Sequence, residues 1–259
     1  MLWKASKTRG SAIAATDGSI GTISDFLFDD GSWQIRWLVV DTGDWLSGRK
    51  VLLPPSVMGH LDADDHEFSV RLTRQQVKDS PDVDTERPVS RQMESGVYDY
   101  YGWNPYWSTG LYMGGYAGMA EPVPTAVERE ASEGINDATD DPHLRSVEAV
   151  SGYHLHARDG EIGHVEDFLV QDADWSIHYL VVDTKNLWPG KRVLISPRSV
   201  RDIDWRNQLV NIGVDLDRVK NSPAYDPSVD VDRAYERHFH KYYEGVGAAG
   251  GSSGPIQPD

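Results

Sequence analysis

The chain has no cysteine among its 259 residues, which excludes disulfides, thiol catalysis and cysteine-ligated zinc or iron–sulfur sites. It has no run of 18 apolar residues, so no segment reads as a membrane-spanning helix. Residues Met1 to Lys7 carry no apolar stretch of the kind a secretory signal needs. Basic residues are scarce, with 25 Lys and Arg against 41 Asp and Glu and a net charge of −16. Such a field repels phosphate backbones and anionic lipid surfaces, arguing against nucleic-acid binding and direct membrane insertion. There is no glycine-rich phosphate cradle, no G-x-S-x-G elbow and no H-E-x-x-H. His238 and His240 stand two residues apart, a spacing that puts them on different helix faces and makes a poor metal clamp. The acidic run Asp62–Glu67 lacks the central glycine and the twelfth-position glutamate of a calcium loop. These absences predict a soluble cytoplasmic protein with no catalytic residues, no cofactor and no metal.

What the chain has is a repeat. Residues 17–53 and 159–195 share 18 identities in 37 positions at a shift of 142. Asp17-Gly18-Ser19-Ile20-Gly21 returns as Asp159-Gly160-Glu161-Ile162-Gly163, and Asp25-Phe26-Leu27 returns as Asp167-Phe168-Leu169. Trp37-Leu38-Val39-Val40-Asp41-Thr42 returns as Tyr179-Leu180-Val181-Val182-Asp183-Thr184, and the pair Tyr100-Tyr101 as Tyr242-Tyr243. The period is too long for a solenoid, so each copy reads as a domain. The expected organisation is one domain over 1–102, an aromatic and acidic segment over 103–142, a second domain over 143–245, and a Gly/Ser/Pro-rich mobile tail over 246–259. Within the middle segment, residues 121–142 hold seven carboxylates against Arg129 alone and read as a solvated linker.

Each copy has the pattern of short strands with turn punctuation. Asp17-Gly18 and Asp159-Gly160 read as hairpin turns, because glycine tolerates positive φ. Trp33, Ile35, Trp37 and Val39 alternate, as do Trp175, Ile177, Tyr179 and Val181. Leu38 and Val40 make the other face apolar too, which predicts burial on both sides. Further strands run from Arg49 to Leu53 and from Lys191 to Ile195, ended by proline. Thr73 with Gln76 has capping-box spacing, and Asp215 holds the equivalent place. Pro81 and Pro223 stop these short helices. A second helix in each copy starts after Ser90 or Asp232 and runs to the tyrosine pair. The expected fold is mainly β: two small barrels, each followed by short helices.

The string Asp-Gly-x-Ile-Gly, then Asp-Phe-Leu, then the Leu-Val-Val-Asp-Thr strand, then Gly-(Arg/Lys)-(Arg/Lys)-Val-Leu resembles the PRC-barrel family. That family is named for the cytoplasmic domain of the photosynthetic reaction-centre H subunit, and it includes a domain of a ribosome maturation factor. The resemblance covers both copies and implies a non-enzymatic cytoplasmic docking or assembly module that binds a protein partner or self-associates. A second implication is a peripheral subunit on the cytoplasmic face of a membrane complex such as a photosynthetic reaction centre. The high negative charge leaves a stress-linked soluble protein as a third reading.

The candidate partner-binding residues are aromatic. Tyr98, Tyr100, Tyr101, Trp103, Tyr106, Trp107, Tyr112 and Tyr116 lie within 19 residues, interleaved with glycine and proline. Aromatic side chains bury much area at little entropy cost and dominate binding hot spots. The first reading of the segment is that it wraps over its own barrel or that of a twin chain, with docking to a different partner second and ligand binding third. The matched pair Asp41 and Asp183 reads as structural, each accepting backbone N–H groups of the following loop. The doublets Arg49-Lys50 and Lys191-Arg192 read as solvated strand edges.

Overall fold

The computed structural model describes residues 2–62, 67–81, 91–103, 144–184, 190–229, 231, 235–237, 239 and 242. Tyr106, Trp107, Tyr112, Tyr116, the acidic linker, the tail, His238, His240 and most of the Asp62–Glu67 run lie outside them.

The chain forms two compact units that are not contiguous in sequence. One consists of Gly10–Asp29 and Arg36–Ser146, the other of Met1–Arg9, Asp30–Ile35 and Val147–Asp259; they are called here the first-repeat and second-repeat units. Each is built on a seven-stranded sheet. In the first, the strand order is Lys50–Leu53, Gln34–Asp41, Gly18–Asp29, Ala12–Ala15, Glu67–Val70 and Met58–Asp62. In the second it is Arg192–Ile195, Ile177–Asp183, Gly160–Gln171, His154–Ala157, Leu209–Ile212 and Val200–Asp204. The pairings are antiparallel except Ala12–Ala15 with Glu67–Val70 and His154–Ala157 with Leu209–Ile212. Register is shared as well, with Leu38 opposite Leu53 and Leu180 opposite Ile195.

The seventh strand of each sheet comes from the other repeat. Leu144–Ser146, which precedes the second barrel in sequence, pairs with Leu27–Asp29 of the first. Leu2–Lys4, its counterpart at the 142 shift, pairs with Leu169–Gln171 of the second. The arms are therefore exchanged between the repeats.

The strand signals hold where the alternation is strongest. Trp37, Leu38, Val39 and Val40 are all buried, as two-sided burial requires. Trp37 and Val39 face a cluster with Leu27, Leu52, Val97, Tyr98 and Leu144. Burying side chains of this size stabilises by about 1.5–3 kcal/mol each.

Several expectations need correction. Trp33 and Trp175 do not begin the strands. Each has a left-handed φ of 59° in the preceding turn, and the ladders start at Gln34 and Ile177. The turn needs one left-handed residue, and that demand overrides the alternation. Gly18 has the expected positive φ of 136°, whereas Gly160 does not adopt a left-handed φ; its nearest neighbour is the Leu216 side chain, whose Cδ1 would lie 3.0 Å from an added Cβ. Thr73 and Gln76 form the capping box, but the Asp215 side chain makes no cap bond. There the helix Leu216–Lys220 receives its cap from Asp159, whose Oδ1 accepts the Leu216 N–H at 2.8 Å. Asp17 does the same for Arg74 at 2.7 Å.

Candidate functional site

The described part of the aromatic segment is the end of the helix Arg91–Tyr101 and the two residues after it. This helix lays Val97 and Tyr98 onto the first-repeat core. Tyr98 meets Trp37 edge-on, with ring centroids 5.0 Å apart. Burial, with the Glu94 carboxylate adding, pushes the Tyr98 phenol up to about 12. One turn earlier, Glu94 is 2% exposed and accepts the Trp37 Nε1–H at 2.6 Å. Tyr101 stacks on Trp103 at 4.1 Å, and both pack against the same cluster. Burial also pushes the Tyr101 phenol up to about 12. Tyr100 donates its hydroxyl to the Gln76 carbonyl at 3.0 Å while its side chain is 40% exposed. Of the four described candidates, Tyr98, Tyr101 and Trp103 therefore pack on their own barrel, and Tyr100 is the exposed one.

The second-repeat unit has the same device. Tyr179 meets Phe239 edge-on at 4.9 Å, and Tyr242 donates to the Arg218 carbonyl at 2.7 Å. Residues 100 and 242 are one repeat apart, as are 76 and 218, so the repeated tyrosine ties one helix to the next in both copies.

The repeated motif residues also have identifiable tasks. Gly21 and Gly163 are required by close approach, since a Cβ at either would lie 2.0 Å from the carbonyl oxygen of Asp41 or Asp183. Asp41 Oδ1 accepts the Gly43 N–H at 2.8 Å, in line with its structural reading. Thr42 and Thr184 close the following loops by donating to the Arg49 and Lys191 carbonyls, both at 2.7 Å. Arg49 and Lys191 are not a solvated strand edge. The Arg49 guanidinium donates to the Lys78 carbonyl at 2.8 Å and to that of Ser80. Lys191 Nζ donates to the Lys220 carbonyl and to that of Ser222, the latter at 2.9 Å. Both cations thus satisfy carbonyls at and just beyond the end of a short helix, where orphan acceptors need partners.

Sequence reasoning missed Asp25 and Asp167, which are 9% and 7% exposed. Each accepts the next residue's N–H at 2.8 Å. Each also receives a serine hydroxyl from an exchanged arm: Ser146 for Asp25, and Ser6 for Asp167 at 2.5 Å. The repeated Asp-Phe-Leu was the available signal, but nothing local to it names a partner over 100 residues away. Among the described residues no group of three or more histidines and carboxylates is arranged to hold a metal.

A model of the PRC-barrel domain matches residues 4–77, and that stretch supplies six strands of the first sheet. Residues 4–77 are a PRC-barrel domain. The second repeat reproduces its strand order, its registers and its motif contacts at a shift of 142, so the chain carries this barrel design twice. An uncharacterized protein of Deinococcus radiodurans is 34% identical over 85 residues, which is 32% of this chain and 30% of that protein. The aligned stretch is close to the length of one PRC-barrel and spans less than a third of the relative.

Proposed function

We propose that this protein is a non-catalytic docking or assembly module, working in the cytoplasm, whose two PRC-barrels bind a protein partner or self-associate. The observation that carries this reading is how the shared motif residues are used. Asp17, Gly21, Asp25, Thr42 and Arg49, with their counterparts 142 residues on, all serve strand ends, loops and helix ends within their own units. The part of the sequence that repeats best is devoted to the scaffold, so specificity falls to surfaces that differ between the copies. Two pre-folded modules on one chain raise avidity through effective concentration without new contacts.

The test is purification of the native protein from soluble and detergent-extracted membrane fractions, combined with crosslinking and light scattering at micromolar concentration. A stoichiometric partner or a defined homo-oligomer is the expected result. Recovery as a lone monomer from both fractions overturns the proposal. A reaction-centre partner is a narrower version of it, decided by pigment absorbance in the co-purified material.

A further inference from the structure

The second-repeat unit contains an open cleft of about 710 Å3, lined by residues 30–33, 176–179, 196–198, 200 and 201. All of them belong to that unit. Trp33 and Pro197 give the cleft apolar wall, and Arg198 and Arg201 give it charge, with Asp30 as the one acidic residue in the lining. His178 also lines it and lies 3.7 Å from Glu236. In a chain of net charge −16, the cleft lining sets two arginines against Asp30; on the adjoining strand Asp202 accepts from Asn211 and Asp204 from the Arg206 and Asn207 N–H groups.

Comparison with the first repeat shows how the cleft acquires them. Ser56 and Gly59 stand where the second repeat has Arg198 and Arg201, and Arg71 stands where it has Gly213. In the first copy Arg71 is used internally, its Nη2 donating to the Ser56 carbonyl at 2.6 Å. In the second copy the arginines stand at other positions, 198 and 201, and Arg201 is on the strand Val200–Asp204. Arg201 lies over Gly213, where an added Cβ would come within 3.3 Å of its Nε. Among the described residues, neither Arg198 nor Arg201 has a carboxylate or hydrogen-bond acceptor for its guanidinium. Both are exposed. Arg201 also belongs to Val200–Asp204, the last strand in the sheet order, which hydrogen-bonds to a single neighbouring strand among those described.

We infer that this cleft docks an extended acidic segment of a partner protein, with its carboxylates on Arg198 and Arg201 and its backbone along the Val200–Asp204 edge. The inference rests on the docking function proposed above and names its partner chemistry. A sheet edge supplies backbone hydrogen bonds to an extended chain, and alternate side chains of that chain point the same way. Guanidinium groups pair with carboxylates in a bidentate fork. A single small anion gains little from exposed cations, whereas a segment that adds edge pairing and apolar contact with Trp33 gains several weak terms together. The chain's overall negative field disfavours a nucleic acid in this role.

The test is fluorescence anisotropy at low salt, with the full-length protein titrated into a dye-labelled hexapeptide of alternating glutamate and valine. The expected result is saturable binding that weakens at least tenfold in the R198E/R201E double variant. The same loss is expected when glutamine replaces glutamate in the peptide, while R71E stays within twofold of wild type. Matching circular-dichroism melting curves establish that both variants are folded. Absence of saturable binding overturns the inference, as does equal weakening by R71E. Displacement of the peptide by an equimolar free dicarboxylate such as glutarate also overturns it, by marking a small-anion site. If the native partner co-purifies undiminished with R198E/R201E, the cleft assignment fails while the docking function stands. If the protein has no partner and no self-association, the docking function fails whatever the peptide does.

Discussion

Trp37 and Tyr179 occupy the same strand position in the two units and are 0% and 1% exposed. Each packs edge-on against an aromatic ring of the unit's last helical segment, Tyr98 in one case and Phe239 in the other. Their polar surroundings differ. Glu94 is fully enclosed and takes the Trp37 indole N–H. Its counterpart Glu236 is half-buried and faces His178, the residue that replaces Arg36. In the second unit Tyr179 is held well above the ordinary phenol range by burial, with Glu236 adding to it. The apolar contact has been kept between the copies while the charged group beside it has moved toward solvent. An aromatic ring of similar volume is interchangeable in a core, whereas a buried carboxylate depends on every donor around it.

Three experiments would break or sharpen this comparison. The largest effect is expected where the copies are most alike. Gly21→Ala and Gly163→Ala each place a Cβ 2.0 Å from a backbone carbonyl oxygen, which neither strand can relieve without moving. Each should cost about 3 kcal/mol or more in denaturant unfolding. Tolerance at one position and not the other would show that the two strand crossings are not equivalent.

The next effect is asymmetric. Glu94→Ala leaves the Trp37 indole N–H buried without this acceptor and should cost about 2–3 kcal/mol. Glu236→Ala, at a partly solvated site, should stay within about 0.5 kcal/mol. Equal losses in thermal melts of the two variants would remove the distinction drawn here.

The smallest effect is read against pH. Burial pushes the Tyr98 and Tyr101 phenols up to about 12 in the folded protein, against 10.0 for an ordinary phenol. Between those values the unfolded chain gives up phenolic protons that the folded one keeps. Their contribution is therefore complete below about pH 10 and falls as the pH rises toward 12. Denaturation midpoints should drop between about pH 10 and 12, and the drop should shrink in Tyr98→Phe and Tyr101→Phe. A midpoint that holds steady while tyrosinate absorbance rises would show these phenols to be solvated.

Much of the barrel was legible in sequence because its signals are local. Leu38-Val39-Val40 announces a doubly buried strand, and Thr73 with Gln76 announces a cap. The partners of charged groups were not legible. Arg49 and Lys191 look like exposed strand-edge cations until helix carbonyls about 30 residues later are brought to them. Asp25 and Asp167 were legible only as members of the repeated Asp-Phe-Leu string, and nothing in it names Ser146 or Ser6 as the group each takes. The aromatic segment was legible as an unusual composition, but not as the mixture it is, with Tyr98 in the core and Tyr100 at the surface.

By itself the sequence determined that there are two copies of one barrel and which strands build most of each. Those facts follow from the internal repeat and from period-two patterning. Only the tertiary structure decided which long strand each arm joins. Leu2–Lys4 and Leu144–Ser146 meet two equivalent acceptor strands of the repeat, each opening its pairing on a leucine, so the repeat pattern alone does not separate exchange from self-pairing. The tertiary structure likewise decided which arginines meet a carbonyl of their own unit and which stand at an open cleft. Arg71, just past the strand Glu67–Val70, donates to the Ser56 carbonyl of its own unit, whereas Arg201, on Val200–Asp204, lies over Gly213 at the cleft.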